Sequence, residues 1–337
     1  MLATNNTRLF TDIISQKYTE EEIIAILLRI NQGPISSEII ATATKACLLK
    51  MNRPTIAQNL KQQNLIDICG TGGDKLHSYN ISTAVAFVLA AGDVMVVKHG
   101  NRASSSRSGS ADILQFLKIS SAVSDNEITN CLEKYNLVFL FAPNFHPNLA
   151  NIASARKKIN TPTIFNYLGP LLNPLQPNKQ IIGVNSPLIA KEMALALIKL
   201  RPEHHFFLVY GNDSMDELTT TTTSTIIEVK NATISQKIIA PEDFGIARVD
   251  IAELKGGEPK HNATALIAVF EGLKNAYYDI ITLNSGLGFL LADKVTDLQE
   301  GVILARELID SKKALQKLHQ MQNIVTLHKV AGSIPWQ

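Results

Sequence analysis

Cysteine is nearly missing from this chain: three in 337 residues, Cys47, Cys69 and Cys131, with no C-x-x-C pair and no metal-ligand spacing. That argues against a disulfide framework, a zinc ribbon or a thioredoxin-type motif, and suits reduced packing residues of a cytoplasmic protein. Charge is sparse as well. Charged residues make up 18% of the chain, below the usual share of about 25%. The net charge of +2 comes with no block of like charges, so no nucleic-acid partner is expected. Long apolar runs are also lacking. The longest, Ala84 to Val97, is broken by Gly92-Asp93 and is too short to span a bilayer. Met1 to Thr11 contains no apolar stretch behind a basic segment, so neither a signal peptide nor a membrane partner is expected.

What is present is a 45% apolar sequence long enough for two domains and a large core. Residues 1–64 read as a small helical domain. Thr19 and Glu22 have capping-box spacing ahead of Ile23, Ile24, Leu27 and Leu28. Ser36 or Ser37 starts a second helix, and Thr55 opens a third running through Leu60. Their apolar surface suits either a cap on the larger domain or an interface with a second copy. From residue 65 to 337 the rhythm becomes strand–loop–helix. Leu65–Cys69, Val94–Val97, Val138–Phe141, Ile181–Val184, Phe206–Tyr210 and Ile226–Val229 read as strands, with helices at 189–200 and 298–309. The fold class is α/β, a small N-terminal helical domain plus a larger domain with a mostly parallel central sheet and helices on its faces. Residues 160–178, with apolar residues and paired prolines, are expected to form a short helix and hinge packing back on the helical domain. The Thr219–Thr223 run reads as a surface turn without chemistry.

The stretch that organises the chain is Gly70-Thr71-Gly72-Gly73-Asp74 after the first strand, followed by Ser78-Tyr79-Asn80-Ile81-Ser82-Thr83. The glycines permit a sharp turn and close approach to a ligand, and Asn80, Ser82 and Thr83 can cap a helix starting at Ala84. Strand, loop and helix N-terminus make an anion site. Neither G-x-G-x-x-G nor the Walker spacing is present. The second strand leads into Lys98-His99-Gly100-Asn101-Arg102-Ala103-Ser104-Ser105-Ser106-Arg107-Ser108-Gly109-Ser110, whose hydroxyls, glycines and cations suit phosphate. Two such loops on consecutive strands imply a ligand with several phosphates. Asp213-Ser214-Met215-Asp216-Glu217 follows a later strand and offers hard oxygen ligands for Mg²⁺, with Ser82 as a further ligand.

These motifs, together with Phe145-His146-Pro147, Thr163-Ile164-Phe165-Asn166, Leu168-Gly169-Pro170-Leu171 and Ser108-Gly109-Ser110-Ala111-Asp112, resemble the anthranilate phosphoribosyltransferases of tryptophan biosynthesis. The resemblance implies phosphoribosyl diphosphate (PRPP) as donor, anthranilate as acceptor, Mg²⁺ as cofactor and a homodimer formed through the N-terminal helices. Carried over by position, it puts the donor on Gly70, Gly73, Asp74, Ser78, Asn80, Ser82, Thr83, Lys98, Ser106 and Ser110, with Ile81 and the 99–105 segment (His99, Gly100, Asn101, Arg102, Ala103, Ser104, Ser105) around it. It gives Asp216, Glu217 and Ser82 to the metal. Anthranilate would meet Gly70, Asn101 and Arg156, with His99 lining its pocket. The chain departs from the family pattern at Tyr210, where histidine is usual, at Ser78, where threonine is usual, and over Lys157–Pro162.

Lys98, the metal and loop amides would stabilise the departing diphosphate, while Asn101 and Arg156 orient the acceptor. His99 is the candidate general base, if the reaction needs one. No covalent nucleophile is evident. The rival readings are a pyrimidine nucleoside phosphorylase on the same architecture and a non-catalytic nucleic-acid-binding relative. No fused glutaminase domain is expected, and the sequence leaves open whether an anthranilate synthase partner exists.

Overall fold

The computed structural model describes residues 6–57, 64–74, 76–103 and 107–330, with side chains up to residue 322. Three helices come first: α1 (Thr7–Ile14), α2 (Glu20–Asn31) and α3 (Ser37–Leu49). Thr19 and Glu22 form the expected capping box on α2, and Ser36 caps α3. The helix expected from Thr55 opens as a tight turn over residues 55–57, where Asp125 accepts from the amides of Thr55 and Ile56. Its remainder through Leu60 lies outside the described residues.

The α/β alternation then runs β1 (Leu65–Gly70), α4 (Ile81–Ala91), β2 (Met95–Gly100), α5 (Ser110–Phe116), α6 (Asp125–Tyr135) and β3 (Leu137–Phe141). It continues through α7 (Ala142–Phe145), α8 (Ala153–Ile159), β4 (Lys179–Gly183), α9 (Pro187–Leu200) and β5 (His205–Gly211). Strands β6 (Ser224–Lys230) and β7 (Thr233–Ile239) precede α10 (Pro259–Phe270), α11 (Ala276–Leu291), α12 (Leu298–Asp310) and α13 (Lys313–Val330). No described helix is long and apolar enough to cross a membrane.

The strands form one sheet in the order β3-β2-β1-β4-β5-β6-β7, parallel from β3 to β5 and antiparallel at β6 and β7. Side chains alternate across it, so Ile66 and Ile68 join α4 and α10–α12 in one core, while Ile182, Phe206 and Leu208 join α1–α3, α8 and α9 in the other. Helices therefore cover both faces, which is why the central strands read as continuous Val/Ile runs. The 160–178 segment forms two 3₁₀ turns, Ile164–Asn166 and Gly169–Leu172, whose apolar residues share the core of α1–α3.

Most apolar residues of α1–α3, including Phe10, Ile13, Leu27 and Ile40, are buried within this one chain, the cap arrangement, one of the two open readings. Two expectations change. The threonine run is no surface turn: Thr219 and Thr220 are fully buried, and the hydroxyls of Thr219 and Thr221 donate to Asp213 Oδ2 at 2.7 and 2.5 Å. Helix α4 starts at Ile81, so Ser82 and Thr83 lie inside its first turn rather than capping it.

Strand order reverses between β1 and β4, so the loops leaving their C-terminal ends diverge and open a crevice, the usual place for a ligand in such sheets.

Candidate active site

Loops leaving β1, β2 and β5 meet at that crevice and, with α8 and the two 3₁₀ turns, enclose a groove of about 460 Å³. Gly70, Gly73, Asp74, Ser78, Asn80, Ile81, Ser82 and Thr83 line it from the first loop. Lys98, His99, Gly100, Asn101, Arg102, Ala103 and Ser110 line it from the second, and Arg156, Asp216 and Glu217 complete the wall. Ser104, Ser105 and Ser106 lie outside the described residues. Every described residue that the resemblance assigns to donor, metal or acceptor thus lines one space.

The first loop is held from both sides at a single residue. Gly72 N–H donates to Asp216 Oδ2 at 2.7 Å, and Gly72 O accepts from Asn185 Nδ2 at 3.0 Å. Gly72 and Gly73 have φ of +69° and +80°, where a side chain would be strained. A Cβ on either Gly70 or Gly183 would overlap Asp216, so these two strand ends stay bare for the acidic loop to cross them.

Asn80 stands at the start of α4 but makes no cap bond. Its amide instead donates to Ser108 O at 3.1 Å, and its Oδ1 accepts from Ser108 Oγ and Asn262 Nδ2 at 3.0 and 2.9 Å, tying the first loop to the second. Tyr79 stacks on Tyr277 with centroids 4.2 Å apart. Asp112 Oδ2 accepts from the amides of both Ala103 and Gly109, at 2.8 and 2.9 Å, and so clips the second loop at its base.

Lys98 and His99 are neighbours on β2 and point to opposite faces of the sheet. Lys98, only 3% exposed, donates from Nζ to Ile68 O (2.6 Å) and Ser82 Oγ (3.0 Å) on the α4 side. Ser82 therefore stands among the charged groups with its hydroxyl already bound to a cation. His99 lies against the 3₁₀ turns, its ring 5.8 Å from that of His146. Burial, with His146 beside it, pushes its pKa down to about 3, and its Nε2 is buried without a partner. At neutral pH His99 is therefore uncharged and only weakly basic. The ring is a neutral wall.

The acids behave oppositely. Burial, reinforced by the charge of Asp74, pushes Asp216 up to about 7. Glu217 is pushed up to about 8 by burial and by Asp216, with Lys98 partly opposing. Asp74 is raised too, chiefly by burial. Asp213 is not part of this group, since its carboxylate is taken by Thr219, Thr221 and the Met215 amide. No ready-made cage of three His, Cys, Asp or Glu ligands exists among the described residues. Hard carboxylates that resist ionisation beside a polar groove fit an ion such as Mg²⁺, which needs one or two of them and takes its other ligands from water and phosphate.

A stability prediction follows from the same shifts. Folded Asp216 and Glu217 keep their protons up to about pH 7 and 8, whereas unfolded carboxyls release theirs near about pH 4. Between those limits the folded state binds more protons, so the stability of the metal-free protein should fall as pH rises from 5 to 8.5. Calorimetric melting temperatures across that range check it; a flat profile would rule out the raised acids.

Arg156 lies on α8, partly withdrawn from water, and its pKa is lowered by burial. Its Nη2 donates to Asn166 Oδ1 at 3.3 Å, and no carboxylate pairs with it among the described residues. The altered segment after it is anchored to α2 by a Lys158–Glu20 ion pair and by Asn31 Nδ2 donating to Pro162 O at 2.9 Å. Sequence reading missed Asn185, Asp112 and Asn262. The first and last stand alone in sequence, while Asp112, three residues after Gly109, had the spacing of a capping acid.

Residues 62–315 match the glycosyl transferase family, a/b domain. The chain is 43% identical over 255 residues to the anthranilate phosphoribosyltransferase of Acetivibrio thermocellus, covering 76% of this chain and 74% of that one. The crystal structure of anthranilate phosphoribosyltransferase from Thermus thermophilus superposes with a TM-score of 0.86 at 32% identity, over 95% of this chain and 94% of that one. The Saccharomyces cerevisiae enzyme in complex with PRPP and Mg superposes with a TM-score of 0.85 at 28% identity, over 96% and 94%.

Proposed function

The chain belongs to the anthranilate phosphoribosyltransferases of the glycosyl transferase family, and we infer from that membership that its groove transfers the phosphoribosyl group of PRPP to the amine of anthranilate. Diphosphate leaves, in a step of L-tryptophan biosynthesis. The observation that carries this reading is the convergence of two anion loops and a pair of acids on one groove at the reversal of strand order.

Donor phosphates would lie against the amides of the first loop, the N-terminus of α4 and the second loop. Asp216 and Glu217, with Ser82 nearby, would hold Mg²⁺, which when bound supplies positive charge for the diphosphate. Lys98 adds fixed charge from beneath, with two of its three donors anchored to the protein so that it needs no reorganisation. On the other side of the groove the unpaired Arg156 guanidinium suits the acceptor's carboxylate, with Asn101 beside it. An aromatic amine is largely unprotonated at neutral pH, so a neutral His99 is adequate as a polar wall.

Association through the N-terminal helices belongs to the same reading, supported by the exposed Leu28 and Leu49 on α2 and α3. Unpaired Cys47, Cys69 and Cys131 suit the cytoplasm.

Loss of anthranilate fluorescence on adding PRPP and Mg²⁺ tests the reaction. Phosphorolysis of uridine or thymidine with no such loss would overturn it. Arg156→Ala should raise the anthranilate KM by about a hundredfold, the scale of losing a charge-assisted pair, and leave the PRPP KM nearly unchanged. Equal effects on both would remove Arg156 from the acceptor side.

A further inference from the structure

A buried polar cluster beneath the groove takes no part in the chemistry above. Its centre is Asp67, fully buried in the middle of β1 and facing the 3₁₀ turns. Its Oδ1 accepts from the His99 main-chain amide at 3.3 Å, and its Oδ2 accepts from Asn173 Nδ2 at 2.9 Å and Gln180 Nε2 at 3.2 Å. All three neighbours donate, which favours the ionised carboxylate against the burial that raises its pKa. Lys98 supplies opposing positive charge, and a second cation stands one residue away. Arg201, 7% exposed, donates to Gln180 Oε1 at 3.3 Å and to Leu171 O at 3.1 Å.

The partners of Asp67 carry one wall of the groove. Asn173 also donates to Val97 O at 2.7 Å, which locks the turn Gly169–Leu172 onto β2. The His99 ring sits edge-on to His146, and His146 Nε2 is 2.7 Å from Leu172 O. His99, His146, Leu168, Gly169 and Leu172 line the groove, whereas Asp67 does not reach it.

We propose that Asp67 is a positioning residue for the acceptor: through the His99 amide and Asn173 it sets where this wall stands relative to Arg156 in the groove. The proposal rests on the reading that this side of the groove takes anthranilate. The donor loops hang on different contacts, chiefly Asn185, Asp216, Ser108 and Asn262. A disturbed Asp67 would therefore be felt by one substrate and not the other.

Asp67→Asn puts an amide against three donors and leaves at least one unmet. Steady-state kinetics should then show the anthranilate KM raised about tenfold, with the PRPP KM within about threefold of wild type. A merely structural role would lower the melting temperature and the active fraction while leaving both KM values in place. Asn173→Ser, which keeps the Asp67–Gln180 bond, should give the same split and decides the matter if Asp67→Asn does not fold. Unchanged anthranilate KM in folded variants, or an equal rise in both KM values, overturns the proposal. Two controls separate it from the reading beneath it. A wild-type protein that does not consume anthranilate defeats the reaction itself, and Arg156→Ala without an acceptor effect defeats the assignment of sides. Silent Asp67 variants beside an impaired Arg156→Ala defeat this inference alone.

Discussion

Replacing Asp216 by asparagine and Glu217 by glutamine should stop turnover by about a thousandfold or more while making the metal-free protein more stable at pH 8. The two effects come from one cause. Glu217 is buried and Asp216 partly so, beside each other and Asp74, which is why they hold protons up to about 8 and 7. At pH 8 the folded protein therefore carries mutually repelling charge that water would relieve in the unfolded chain. The neutral isosteres remove that repulsion, and the carboxamide put in place of the Asp216 carboxylate can still accept from the Gly72 amide through its carbonyl. The melting temperature should rise by roughly 2 °C, the scale of 1–2 kcal/mol in a chain of this size. Turnover should fall because the hard oxygen ligands proposed for Mg²⁺ are gone, and several kcal/mol of charge stabilisation with them. Calorimetry and the fluorescence assay measure the two arms. Full activity in the double variant would sink the metal assignment, and an unchanged melting temperature would sink the account of strain.

The second large effect is expected at Gly183→Ala. The added methyl would overlap the main-chain carbonyl of Asp216, a backbone atom that cannot swing aside as a side chain can. The acidic loop must lift from the ends of β1 and β4, so turnover should drop about a hundredfold or more and stability by roughly 1–3 kcal/mol. Gly33→Ala serves as comparison, since its nearest neighbour would be Ile30 O at 3.8 Å. It should leave turnover as it was. A fully active Gly183→Ala would mean the loop does not need to lie where it does.

Much of this was legible in the letters. The strands could be read because burial on both faces demands unbroken runs such as Ile181-Ile182 and Phe206–Tyr210. The groove could be read because its chemistry is concentrated in contiguous loops at strand ends. Asp67, Asn173, Gln180 and Arg201 could not, since they meet across separations of up to 113 residues and none has a local signature. Thr219–Thr223 misled because polar residues without periodicity look like surface, and only the fold brings Asp213 to their hydroxyls. Ser82 and Thr83 looked like caps because hydroxyls often are, yet here Ile81 already begins the helix and Lys98 claims the serine.

The alternation of Lys98 and His99 also limits how the enzyme can change. On the proposed reading the border between donor and acceptor would run along the main chain of β2, so odd and even positions on that strand would serve different reactants. A single-residue insertion or deletion before Lys98 would invert that parity, sending the ammonium to the aromatic side and the imidazole toward the phosphates. Length in β2 is therefore as much a determinant of chemistry as the identity of either side chain.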